Sequence, residues 1–304
     1  MKFLTYAVQD QPCLGMLLDD DRVLDLTALL ASRPDLGLPG PVRNVNDLIA
    51  LGDDTVARVC GAGLLDGVDA AALPRLADVR VLPPLAMARN VFCVGRNYRE
   101  HIIEGNLARG RPADAFPEAI EFFTKAPTAV VGHGADVKRH AGLTDSLDYE
   151  VELAIVIGRA GADIPRERAL EHVFGYTIVN DVTARDLQAR HGQWFKGKSL
   201  DTSCPMGPVV AHRSAIRDAN NLTVSLSVNG EVRQHDNTSD MIFDVAAIIE
   251  QLSAGMTLLP GDVIATGTPK GVGFALNPPR CLQAGDVVSA SVEHIGTLTN
   301  RIAA

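Results

Sequence analysis

Hydrophobic and polar positions alternate most clearly between Leu147 and Gly158, LDYEVELAIVIG. The period of two predicts a β-strand over 147–158, with Tyr149, Val151 and Leu153 on one face and Asp148, Glu150 and Glu152 on the other. The apolar run from Leu153 to Ile157 predicts that its second half is buried. The segment 222–234, LTVSLSVNGEVRQ, alternates on both sides of Asn229 and Gly230 and predicts a hairpin. Residues 240–252, DMIFDVAAIIEQL, have helical spacing and predict an amphipathic helix. VFCVG (91–95) predicts a buried strand, and FFTKAPTAVVGHG (122–134) a strand, a turn at Pro127 and a second strand. VFGYTIVNDVTARDLQ (173–188) predicts a strand and then a helix with Asp181 at its N-cap, where Asp is favoured. LLPGDVIATGTPKGVGFA (258–275) predicts a strand followed by a glycine-rich loop that lacks the phosphate-binding GxxxxGK[ST] pattern.

The first part of the chain has a different texture. KFLTYAV and CLGMLLDDDRVLDLT predict short strands around the turn Asp19–Asp21, and helical patches come after them near 46–51 and 54–64. VRVLPPLAMARN (79–90), with Pro83 and Pro84, predicts an extended connector. The expected organisation is a small N-terminal α/β domain over 1–78 and a larger domain over 79–304, α+β but mostly β.

Composition narrows the function. With 304 residues, 46% hydrophobic and 21% charged, the chain is long enough for a sizeable core. The formal net charge of −9 and the lack of any long basic run argue against nucleic acid and anionic membranes as partners. The N-terminus has no signal-peptide pattern, and no stretch is long and apolar enough for a transmembrane helix. Five scattered cysteines without a CxxC pair suit reduced thiols in a cytoplasmic protein.

Two carboxylates side by side next to a buried run need either solvent or a cation, since like charges that close force one to take a proton. Glu150 and Glu152 therefore predict either an acidic face open to water or a metal site. Asp181 would add a third carboxylate, and an all-oxygen site suits Mg²⁺, Mn²⁺ or Ca²⁺ rather than Zn²⁺. His101 and Glu104 are three apart and share a helical face. Such a pair predicts a general base with a carboxylate fixing its tautomer, or an incidental pair at a solvated helix start. The polar stretch 105–118 predicts a lid over a site or a surface loop. Lys125 stands in an apolar setting, which is unusual for lysine, whereas Lys196 and Lys198 beside Trp194 predict surface positions.

GRNYREH (95–101), DYEVELAIVIG (148–158), NDVTARDLQ (180–188), KGKSLDTSCPMGP (196–208) and PGDVIATGTPKGVG (260–273), in this order, resemble the fumarylacetoacetate hydrolase family. The resemblance spans residues 79–301 and implies a mixed β-sandwich roll assembled as a homodimer, with 1–78 as a small variable domain. It implies Glu150, Glu152 and Asp181 as ligands of Mg²⁺ or Mn²⁺, with Ca²⁺ as a third choice, and His101, Glu104 and Lys198 as catalytic residues. It further implies Arg96, Tyr98, Arg185, Gln188 and Thr268 as substrate-binding residues. The activity it implies is hydrolysis of a C–C bond in a 2,4-dioxo acid of acylpyruvate type, in aromatic or sugar acid catabolism, through an enolate on the metal. The alternatives are oxaloacetate decarboxylation or tautomerisation and 2-hydroxy-dienoate isomerisation. A non-enzymatic, metal-stabilised relative is the remaining possibility.

Overall fold

The structure is a computed structural model that describes residues 1–61 and 63–304. The N-terminal part contains β1 (Lys2–Val8), β2 (Gln11–Leu17), β3 (Val23–Asp25), then α1 (Leu26–Ala31), α2 (Val45–Ala50) and α3 (Asp53–Val59). The short β4 (Arg80–Val81) leads to β5 (Val91–Gly95), α4 (Arg99–Ala108), β6 (Glu121–Lys125), β7 (Val130–Val131) and β8 (Asp136–Lys138). The middle of the chain holds β9 (Leu147–Asp148), β10 (Val151–Ile157), β11 (Val173–Asn180), β12 (Thr183–Ala184), α5 (Arg185–Arg190) and α6 (Phe195–Lys198). It closes with β13 (Cys204–His212), β14 (Thr223–Val228), β15 (Glu231–Asn237), α7 (Val245–Ser253), β16 (Val263–Ala265), β17 (Val287–Val292) and β18 (Gly296–Ala303). Among the described residues no helix is long and apolar enough to cross a membrane.

The main sheet runs β3-β2-β1-β13-β11-β10-β16-β5-β6, with β4 on β1 and β7 on β13. A five-stranded sheet, β15-β14-β17-β18-β8, packs through the same core, and β9 and β12 form a separate pair. Strand β10 lies between β11 and β16, so both of its edges are paired, and every residue from Val151 to Ile157 is buried, which shows that both of its faces are covered as well. Sheets covered on both sides carry unbroken apolar strands, which explains the run after Glu152. The N-terminal strands are not set apart from this sheet. Lys2 and Phe3 of β1 pair with Ala211 and Val210 of β13, and β4 pairs with β1, so β1–β4 extend the sheet at one edge.

Two local expectations need correction. The strand expected over 147–158 is interrupted: β9 ends at Asp148 and β10 begins at Val151. At the break the Asn180 side chain takes over the ladder, accepting from Glu150 N at 3.0 Å, while Asp181 N donates to Glu150 O at 2.8 Å. Asp181 is likewise not a helix cap, because α5 starts at Arg185 with Ala184 at its N-cap. The hairpin is as expected, with Asn229 and Gly230 at φ of 52° and 81° joining β14 to β15. Helix α7 starts one turn later than the pattern indicated, where Asp244 accepts from Ala247 N at 2.8 Å.

Candidate active site

The interruption between β9 and β10 sets the site. It turns Glu150 out of the ladder while leaving Glu152 on the strand, beside the loop that carries Asp181 out of β11. One oxygen from each of Glu150, Glu152 and Asp181 lies within 4.8 Å of the others, and all three residues are buried. The acidic face expected as one alternative is therefore not open to water.

Three buried cations surround this cluster. Lys125 Nζ donates to Asp181 Oδ1 at 2.7 Å and to Val182 O at 3.0 Å. Lys198 Nζ donates to Glu150 Oε2 and Asp181 Oδ2, each at 2.6 Å. Arg185 Nε donates to Asp148 Oδ2 at 2.8 Å, and its Nη2 lies 2.6 Å from Glu150 Oε1. Asp148 is fixed in turn by Gly273 N at 2.8 Å and Phe274 N at 3.1 Å. Burial opposes the charge of Glu150, but Arg185, Lys198 and His101 hold its carboxyl well below the usual carboxylate range. Burial also opposes the charges of Lys198 and Arg185, and their carboxylate partners outweigh it and hold both protonated.

Glu152 differs. No salt bridge reaches it among the described residues, and its Oε2 accepts only from Gly267 N at 2.8 Å. Burial, then Asp181 and Glu150, push its carboxyl well above the usual range. A cation among the three oxygens would relieve that repulsion, so the residues fit a hard divalent metal, and the donor set does not single out which. Gly267 approaches this closely because it has no side chain: its φ is 101°, and a Cβ would stand 2.7 Å from Asn97 Cβ.

Above the cluster lies a cavity of about 540 Å³, lined by Arg96, His101, Glu150, Glu152, Arg185, Gln188, Lys198 and Thr268 among others. His101 and Glu104 both sit on α4, with Nδ1 2.9 Å from Glu104 Oε1. Gly271 N donates to Glu104 at 2.9 and 3.1 Å, tying the pair to the glycine-rich loop. Thr268 Oγ1 donates to Val151 O at 2.9 Å, and Gln188 Oε1 accepts from Arg185 Nη1 at 3.3 Å. Arg96, with φ of 52°, is held by Glu121 through Nε at 2.6 Å.

Tyr98 does not join the cavity wall. Its main chain bridges Met241 and its ring is 1% exposed, a core position that the adjacent cavity residues gave no reason to expect. Lys198 is buried rather than superficial, because α6 turns it inward over the Phe123 ring at 5.0 Å, while Lys196 remains exposed. The segment expected as lid or loop is partly helical: α4 continues to Ala108, and Asn106 Nδ2 pins the residues beyond it by donating to Ala115 O at 3.1 Å. Lys125 and Asp148 belong to the site without having been assigned to it. Lys125 had a signal, a lysine among apolar residues, whereas nothing in the sequence separated Asp148 from an ordinary strand position.

Comparison with known proteins agrees with this architecture. The profile of the fumarylacetoacetate (FAA) hydrolase C-terminal family matches residues 90–303. The chain belongs to that family. It is 46% identical to the oxaloacetate tautomerase YisK of Bacillus subtilis (strain 168) over 308 residues, covering 99% of this chain and 100% of the relative. Among solved structures it resembles a fumarylacetoacetate hydrolase from psychrophilic Exiguobacterium antarcticum, with 43% identity, a TM-score of 0.82 and coverage of 100% of this chain and 99% of the other. A 2-hydroxyhepta-2,4-diene-1,7-dioate isomerase from Mycobacterium marinum is 34% identical, with a TM-score of 0.71 and coverage of 100% and 98%.

Proposed function

We propose that this protein is a divalent-metal-dependent enzyme that interconverts the keto and enol forms of a small 2-oxo acid, with oxaloacetate the first substrate to test. The observation that carries this reading is the His101–Glu104 pair, 2.9 Å apart, on the wall of the cavity that Glu150 and Glu152 also line. The full-length likeness to an oxaloacetate tautomerase supports it.

Glu150, Glu152 and Asp181 would hold Mg²⁺ or Mn²⁺, which supplies Lewis-acid polarisation of the 2-oxo group. The chain's own residues handle the proton. Glu104 accepts from Nδ1–H of His101, a tautomer assigned from the hydrogen-bond network, and leaves Nε2 as the basic nitrogen facing a substrate. His101 takes a proton from C3 of the keto form, the C3–H electrons become the C2–C3 double bond, and the 2-oxygen gains the proton. Lys198, held by Glu150 and Asp181, and Gln188 both line the cavity and would stabilise the negative charge that develops on the substrate. Gly271 N–H keeps the Glu104 carboxylate in register.

The same pair favours a second reading, in which His101 activates water to cleave a 2,4-dioxo acid, as in the hydrolases of the family. One assay separates the two. With Mg²⁺ or Mn²⁺, the enol absorbance of oxaloacetate decays faster with enzyme, no pyruvate is released from acetylpyruvate, and chelator abolishes the effect. His101→Ala lowers the rate by about 10²- to 10⁴-fold. Pyruvate release from acetylpyruvate would transfer the assignment to hydrolysis, and no turnover of any oxo acid would leave a structural role for the metal.

A further inference from the structure

A second cavity borders the glycine-rich loop away from the active site. Tyr149, in its wall, donates through its hydroxyl to Gly271 O at 3.1 Å, and Gly271 N donates to Glu104 at 2.9 Å. The cavity measures about 270 Å³ and shares no lining residue with the active-site cavity. Tyr149, Val228 and Leu282, all buried, give it apolar walls, and Arg233 and Arg280 bring positive charge to it.

Arg233, on β15, is the residue that the fold leaves unexplained. Its side chain is 8% exposed, and a buried guanidinium needs partners for its charge and for its N–H groups. Its carboxylate partner among the described residues is Glu231, 3.3 Å from Nη2. Nε and Nη1 are buried without any hydrogen-bond partner among the described residues. Arginines that serve structure in this chain are tied to main-chain carbonyls, as Arg139 is to Thr144 O and Arg213 to Val173 O. The Arg233 side chain is bonded to none among the described residues.

Charge is also left over. Glu231 is exposed and already receives Arg280 through both oxygens, at 2.6 and 2.8 Å. Two guanidinium groups therefore share one carboxylate. The acid in the wall, Asp286, forms no salt bridge among the described residues, and its oxygens accept from Asn229 Nδ2 and Gln283 N, each at 2.8 Å.

We infer that Arg233 and Arg280 form a binding site for a phosphate group, either the free ion or one carried on a small metabolite. A guanidinium fork engages oxyanion atoms in pairs, so two forks suit the several oxygens of a phosphate better than a single carboxylate. The apolar walls strengthen each contact, because charges attract more strongly away from water. Arg280 is held by an exposed ion pair and can turn from Glu231 at little cost. The volume is below that of common metabolite pockets, which suits one phosphate group with a short carrier. The site stands whatever the active-site cavity turns over.

The test is calorimetric titration of the full chain with inorganic phosphate and, separately, with glycerol phosphate. Ionic strength is held constant with NaCl, which screens unspecific attraction. Phosphate binds by millimolar concentrations. Arg280→Ala weakens binding about 10-fold and Arg233→Met about 10- to 100-fold, the range for hydrogen bonds to a charged partner. Arg111→Met, in the active-site cavity, leaves the affinity unaltered. Equal affinities for both ligands support a carried phosphate, and binding of inorganic phosphate alone supports the free ion. No binding of either by the intact protein, or an affinity unaltered in Arg280→Ala, would overturn the inference, and neither outcome depends on whether Arg233→Met folds. Binding lost in Arg111→Met instead would place the phosphate in the active-site cavity and overturn it as well.

Discussion

The two ends of the active-site cavity are built in opposite ways. The inner end stands on paired strands and their immediate exits: β10, the loop after β11, the end of β6 and α6. Its ionisable groups are buried, and its cations are locked to its carboxylates at 2.6–2.8 Å. The outer end stands on one helix, α4, and the segment after it, and its exposed arginines Arg109 and Arg111 lack carboxylate partners among the described residues. A buried network in which every member is engaged is rigid, and removing one member leaves another unpaired. An unmatched exposed cation can change without such a penalty. Reaction chemistry is therefore expected to reside in the sheet and substrate choice in the helix and loop, and variants at the two ends should behave differently.

The largest effect should come from Glu152→Gln. It removes the one carboxylate of the cluster that no salt bridge satisfies, and with it the ion that it would help hold. Intact protein should gain about 2.7 kcal/mol of stability when Mg²⁺ or Mn²⁺ stands at a hundred times its Kd, read as a rise in Tm. The variant should show no rise, and its turnover of oxaloacetate should fall by about a thousandfold or more, the several kcal/mol that Lewis-acid stabilisation supplies. A normal metal-dependent rise in Tm would remove Glu152 from the ligand set.

Lys125→Met should come next, and act on stability. Lys125 is fully buried and donates to Asp181 and Val182 O, so its loss leaves a buried carboxylate with one partner fewer. Breaking a buried pair by removing one member costs about 3–5 kcal/mol, measurable by urea denaturation without metal. A loss under about 1 kcal/mol would show that Lys198 alone neutralises Asp181 and that the inner end is not a single unit.

This inner end was the part most legible in the sequence. Strand alternation and an apolar run marked Glu150 and Glu152 as an acidic pair, either open to water or on a metal, and the family resemblance added Asp181 as the third ligand. The β14–β15 hairpin and α7 were legible for the same local reasons, an Asn-Gly turn and a helical period. The features that escaped depend on contacts distant in the chain. The break at Tyr149–Glu150 exists because Asn180, from another strand, completes the ladder. The joining of β1 to β13 pairs Phe3 with Val210, and no local pattern encodes that partner. The family resemblance placed Tyr98 near substrate, but at the N-cap of α4 its side chain turns into the core while Arg96 and His101 on either side of it face the cavity. Asp148 resembled Glu150 and Glu152 in the strand pattern, and only the strand break separates its task of holding Arg185 and the Gly273–Phe274 backbone from theirs.

Asn106→Ala should have the smallest effect and sharpen the comparison most. Asn106 is 3% exposed and lies on α4 between the His101–Glu104 pair and the two arginines. Its Nδ2 donates to Ala113 O at 3.4 Å and Ala115 O at 3.1 Å, while its main-chain carbonyl accepts from Arg111 N at 2.9 Å whatever the side chain. The side chain thus braces the segment that carries Arg111 without touching the carboxylate cluster. Loss of the two side-chain hydrogen bonds removes about 1 kcal/mol of positioning, which should raise KM for oxaloacetate a few-fold and leave kcat and the metal-dependent rise in Tm nearly unaltered. The split matters because α4 carries both functions. If kcat falls together with KM, the brace also fixes His101, and the two ends of the cavity act as one device joined through a single helix.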